Sequence, residues 1–219
     1  MHPIQYLVDH MMMPVLTWAY HLTGNYGWAI VVVTLILKSL LFPLTVKQMQ
    51  SMSGIRLIQP KMKELQEKHK DNPAEMQAKL MALYKEHGVN PLGGCLPTLV
   101  QLPFFLAIFA ALSSPTFKAA VASGGASSSF LWISHLAMPD KTMILPVLVG
   151  VSTYFSQKTM TTSVAGQDDP MMKMFVYMPF MMVVIAMGMP SGVLIYWAFS
   201  QFITAGQQVL LNRVMKKTS

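Results

Sequence analysis

The sequence predicts an all-α membrane protein with five transmembrane helices, a cytosolic helical hairpin and an N-terminal interfacial helix. Three observations carry that prediction. Of 219 residues, 53% are hydrophobic and 11% charged, whereas a soluble domain carries about 25% charged residues. The charges are clumped, and the charge-poor stretches between clumps approach the roughly 20 apolar residues a helix needs to cross about 30 Å of hydrocarbon. The basic residues also lie mostly to one side of those stretches.

Residues 1–25 are read as an interfacial helix on the outer face. Met11 to Leu22 is too short to span and carries Trp18 and Tyr20, which favour the membrane–water boundary. Gly24-Asn25 breaks the pattern, and the first span follows at about 26–44, with Lys38 inside it and Pro43 near its end. From Val46 to Asn90 eight Lys or Arg appear among glutamates. Apolar residues there recur at three- and four-residue intervals, before and after Asp71-Asn72-Pro73. That is an amphipathic hairpin, 46–90, whose second helix has a cap and a first-turn proline, with Gly88 and Asn90-Pro91 as its stop.

The second span, about 92–112, has no charge and contains Pro97 and Pro103, which neighbouring helices can accommodate. A Ser/Gly/Ala stretch and Phe130-Leu131-Trp132 lead to the third span at about 142–157. A polar loop precedes the fourth, about 171–188, and Met189-Pro190-Ser191-Gly192 turns the chain into the fifth, about 193–211. Residues 212–219 form a short basic tail. Lys and Arg are retained on the cytoplasmic side. Thirteen lie on the side of the hairpin, the 158–173 loop and the tail, against Lys118 and Lys141 opposite. The N-terminus is therefore expected outside and the C-terminus in the cytoplasm. The first basic residue is Lys38, so the start lacks the basic stretch of a signal peptide. Cys95, the single cysteine, forms no internal disulfide, and its Leu92-Gly93-Gly94-Cys95 context lies far from where lipoprotein signals operate.

Lys38 is the most informative residue. A lysine at a span centre costs about 2.5–3.5 kcal/mol on insertion scales and usually faces protein or water. Thr34 and Thr45, four before and seven after it, are expected on the same helix face. Gln101 in the second span and Tyr196 with Ser200 in the fifth can line the same space, which gives a wet, cationic cavity. The competing reading is that Lys38 snorkels to the headgroups. Eight methionines between Met171 and Met189 suit a surface that meets many apolar partners; ordinary packing and Cu(I) ligation are the alternatives.

Enzyme chemistry finds little to work with. The six histidines fall in termini or loops, every Asp and Glu lies outside the spans, and phosphate loops and metal spacings are absent, so no cofactor is expected. The basic hairpin can meet anionic lipid or ribosomal RNA, or can simply be solvated.

From Gly24 to Leu211 the sequence resembles the YidC membrane insertases and their mitochondrial and chloroplast relatives. The resemblance rests on the charge in the first span followed by Phe42-Pro43-Leu44-Thr45. It continues with Asn90-Pro91-Leu92-Gly93-Gly94-Cys95-Leu96-Pro97, then Gln101-Leu102-Pro103 and Pro190-Ser191-Gly192, in the expected order. It implies a five-helix core around a hydrophilic groove open to cytoplasm and lipid, in the bacterial inner membrane. A groove arginine of the family attracts the polar segment of an incoming protein, a role that passes here to Lys38. Lysine keeps the charge and loses the guanidinium fork.

The second and fourth spans become a client slide, with Phe104, Met174, Met178, Met181 and Met182. Implied partners are newly made membrane proteins, the Sec translocon and anionic lipids, with ribosome and signal-recognition contacts through the hairpin. Many Gram-negative relatives carry an extra first span and a large periplasmic domain, which these 219 residues do not include, so either the start is unusual or the sequence is a fragment; the tail, Asn212 to Ser219, is short. Two other functions fit the composition. A small transporter would use Lys38 as an anion site, and a scaffold for the translocon would insert nothing alone.

Overall fold

A computed structural model describes residue 6 and residues 8–89, 96–123, 129–161 and 170–218. Their regular structure is helical, apart from one isolated bridge between Phe130 and Ile133. A π-helical turn, Val8–Met12, runs into α1, Met13–Thr23. Gly24 ends α1 in the left-handed region at φ 67°, a conformation that costs glycine little. Asn25 then caps α2, Tyr26–Leu40, accepting from the Gly27 and Trp28 amides at 2.8 and 3.3 Å. Its side-chain amide donates to the Ser129 carbonyl at 2.7 Å. α1 and α2 are bent by 119° to each other. α1 buries Leu16 and Ala19 while Val15, Trp18 and Leu22 stay exposed, two faces at helical spacing.

α2 ends at Leu40 and does not run to Leu44 as the sequence suggested. Pro43 supplies the reason: it has no N–H to offer the carbonyl of Ser39, and its ring clashes there in a continuing helix. The break falls at Leu41, and Pro43 sits in the first turn of α3, Phe42–Lys68, where proline is tolerated. α4, Pro73–Glu86, packs back on α3. Its Asn72 cap accepts from the Glu75 amide at 3.3 Å, and Gly88 ends it at φ 63°. Met49, Ile58 and Leu83 are buried.

α5, Leu96–Ser113, is followed by α6, Pro115–Ser123, a helix absent from the sequence reading. Ser114 starts it by accepting from the Phe117 amide at 3.1 Å, with proline at the first helical position. α7 spans Ile144–Thr161, α8 Pro170–Ala186 and α9 Ser191–Thr218. α9 is the central element, packed on α7 and α2, while α8 rests on α7. At that last seam a Cβ on Gly150 would stand 2.4 Å from a Val183 methyl. Ser191 and Gly192 fasten the start of α9 to the preceding loop. Their amides reach the carbonyls of Met138 and Leu136 at 2.8 and 2.9 Å, and the Ser191 hydroxyl reaches Met138 at 2.7 Å.

Among the described residues no single helix is both long and apolar enough to cross a membrane; His10–Thr23 and Tyr26–Leu40 are so only as a bent pair. The break at Leu41 shortens α2, and polar residues interrupt α7 and α9. Many large apolar side chains point outward, among them Trp28, Leu35, Phe155, Phe180 and Val184. A surface of that kind suits lipid or protein partners better than water.

Candidate functional site

Three helices bring the polar side chains together. α2 turns Ile30, Thr34 and Leu37 inward, and Lys38, half-buried, extends this face toward α5 and α9. Its Nζ donates to Thr204 Oγ1 of α9 at 2.9 Å and to Gln101 Oε1 of α5 at 3.2 Å. The amide nitrogen of Gln101 donates to the Tyr196 hydroxyl, so one glutamine ties lysine to tyrosine. Gln207 Nε2 reaches back to the Lys38 carbonyl at 3.5 Å. The Thr204 hydroxyl donates to the Ser200 carbonyl at 2.8 Å, which leaves its lone pairs for the ammonium. The Gln101 and Thr204 groups that Lys38 Nζ meets are neutral dipoles.

The sequence-derived candidates divide. Lys38, Gln101 and Tyr196 meet directly. Ser200, buried, takes part through its carbonyl, which accepts from Thr204, and its side chain bonds Tyr196. Thr34 is fully buried one turn from Lys38, and its hydroxyl donates to the Ile30 carbonyl at 2.7 Å. Thr45 does not share the helix of Lys38: it lies in α3, beyond the break made by Pro43, with its hydroxyl on the Leu41 carbonyl. Thr204 and Gln207 were not foreseen. Nor was the polar seam beside them, where Thr159 of α7 donates to Gln208 of α9 and Thr153 and Ser156 are buried. Thr153 Oγ1, Gln207 Oε1 and Gln208 Nε2 are buried there without a hydrogen-bond partner. The signal was present: Ser200, Thr204 and Gln207/Gln208 recur at helical spacing in an otherwise apolar stretch.

Of the proposed slide, Phe104 packs half-buried against the core and so does Met182. Met181 is exposed, and Met178, at the edge of exposure, accepts from Gln157 Nε2 at 2.9 Å. The Met174 side chain lies outside the described residues. Among the described side chains of α8 the most exposed large apolar ones are aromatic, Tyr177 and Phe180. Among the described residues no cluster of His, Cys, Asp or Glu could hold a metal ion.

Outward-turned apolar helices around an inward-turned ammonium define a helical membrane protein. The chain belongs to the 60Kd inner membrane protein family, whose model matches residues 18–218, and this places it in the bacterial inner membrane. It is 42% identical over 202 residues to the membrane protein insertase YidC of Wolinella succinogenes, covering 92% of this chain and 36% of that protein. With the membrane protein insertase YidC of Fusobacterium nucleatum it shares 43% identity over 194 residues, 89% of this chain and 88% of that one. A crystal structure of an active YidC insertase with the first transmembrane domain resolved matches at TM-score 0.73 and 30% identity, covering 92% of this chain and 45% of that chain. The chain spans little more than a third of the Wolinella and Helicobacter relatives (36% and 35%).

Proposed function

We propose that the chain inserts client membrane proteins and helps them fold, alone or with the Sec translocon. The observation that carries this reading is the Lys38 ammonium, held between α2, α5 and α9 by Gln101 and Thr204. Five spans surround a hydrophilic groove, with the N-terminus outside and the C-terminus in the cytoplasm. Lys38 lies 12 residues past Tyr26, about 18 Å along α2 at 1.5 Å per residue, past the midplane of a core about 30 Å thick. A wet groove there shortens the hydrocarbon that a client's polar tail must cross, and each polar group kept solvated lowers the barrier.

Lys38 attracts acidic tails. α5 and α8 form the slide: Phe104, Met178, Met181 and Met182, with Tyr177 and Phe180, hold an apolar helix weakly enough to release it sideways into lipid. No chemical step and no nucleotide is required, because burial of the client's own apolar helix supplies the driving force. α1 lies in the outer interface. The basic α3–α4 hairpin recruits clients through anionic lipid, ribosome and signal-recognition contacts.

The test is insertion of a single-span client with an acidic N-terminal tail into proteoliposomes holding the purified chain. Lys38→Ala is expected to lose most insertion and Lys38→Arg to keep it. Full activity of the alanine form would reduce Lys38 to a snorkelling residue, and an inactive wild type would favour a scaffold.

A further inference from the structure

On the opposite side of α9 from Lys38 the structure holds a second feature, an apolar cleft of about 200 Å³. Leu131 and Trp132 form its mouth, Leu148 of α7 one wall, and Ala198, Phe199 and Phe202 of α9 the other. At about 100° per residue these α9 positions lie roughly 140° around the helix from Tyr196, Ser200, Thr204 and Gln207. The cleft is therefore no branch of the Lys38 cluster. Its wall exposes no polar atom, while Leu131 and Phe202 are open at its two ends, 69% and 43% exposed.

Length and chemistry identify the occupant. From Ser191, where α9 begins, to Phe202 is 11 residues, about 16 Å of helix. One leaflet of a hydrocarbon core about 30 Å thick is roughly 15 Å deep. Trp132 marks the headgroup level at the mouth, as interfacial tryptophans do. Its side chain bonds the Asp140 carboxylate, which fixes the next residue, the exposed Lys141, near the same rim. The Asp140 carboxylate is already engaged by the amides of Thr142 and Leu145 and the Thr142 hydroxyl, so Lys141 is left to pair with an anion from the membrane.

We propose that this cleft holds one acyl chain of an outer-leaflet phospholipid whose phosphate pairs with Lys141. The lipid would wedge the 129–143 loop against α7 and α9. Native mass spectrometry of the full chain in detergent, titrated with dioleoyl phosphatidylglycerol, tests it. Wild type is expected to retain one lipid, and lyso-phosphatidylglycerol, with a single chain, to bind within a few-fold of it. Leu148→Trp, which fills the cleft, and Lys141→Glu, which reverses the charge at the rim, are each expected to weaken binding about tenfold. Lys118→Glu is the outer-side charge control and is expected to bind as wild type does. Wild-type binding by Lys141→Glu, an exposed change that leaves the fold intact, overturns the proposal. Equal loss in Lys118→Glu overturns it as well.

Discussion

Lys38 and Thr204, 166 residues apart in sequence, meet at 2.9 Å. The contact aims the ammonium at α9. Snorkelling needs no such partner. A hydrogen bond to a charged group contributes about 1.5–3 kcal/mol, so Thr204→Val, which keeps the shape and removes the acceptor, should cut insertion of an acidic-tailed client by about tenfold. Thr204→Ser should insert like wild type. Both are measured in proteoliposomes, and equal rates for the valine and threonine forms would leave Gln101 as the sole support of the charge.

How much of this was readable from residues alone depends on the kind of signal. A charge inside an apolar stretch is conspicuous, so Lys38 stood out, and Gln101 and Tyr196 followed as polar groups on other spans. Thr204 was hidden because a helical threonine ordinarily satisfies itself on the carbonyl four residues back. Thr204 does this too, and still accepts from Lys38. Thr45 was misplaced by treating the helix as continuous through Pro43. Helix α6 has a start signal in Ser114-Pro115, but its nine residues are too few for a clear period. The contacts of the 129–143 loop are long-range, and no local pattern encodes them.

The Thr159–Gln208 pair offers a test of the polar seam. Gln208 is fully buried. Removing the Thr159 hydroxyl strands the Gln208 amide oxygen, whereas Thr159 keeps the Ser156 carbonyl at 2.8 Å when Gln208 is removed. Thr159→Val should lower stability by about 1 kcal/mol, the scale of hydrogen bonds between membrane helices. Thr159→Val combined with Gln208→Leu should recover much of the loss. Thermal unfolding in detergent of both single variants and the double gives the coupling directly, and strict additivity would mean that the seam is solvated by water alone.

Gly27 is fixed by Phe130. A Cβ at position 27 would lie 2.2 Å from Phe130 Cγ and Cδ2 and 2.5 Å from its Cβ, and the base of a buried side chain cannot swing aside as a flexible tip can. Gly27→Ala should therefore destabilise by about 1–3 kcal/mol, the cost of overpacking, and shift the loop that Asn25 also holds through Ser129. Adding Phe130→Gly, which removes the Cβ contact as well as the ring, should relieve the clash and bring the two changes below the sum of their separate costs. A double-mutant cycle on unfolding midpoints decides this, and additive costs would show that the helix yields instead of the ring.

Asp140 gives the loop an acid limit. Burial alone raises its pKa, but the hydrogen bonds from Thr142, Leu145 and Trp132 outweigh burial and hold the carboxyl below its ordinary value. A carboxylate with a lowered folded pKa adds stability at all pH above its unfolded value, about 3.9, and loses it as pH falls through the folded value. Wild type should therefore lead Asp140→Asn at pH 7, and the lead should shrink only below about pH 4. Asparagine keeps the size but has one acceptor oxygen where the carboxylate has two, so it cannot hold Thr142 and Leu145 together. Unfolding midpoints measured from pH 7 down to pH 3 for both proteins test this. A gap that stays constant across that range would assign the role of Asp140 to shape alone.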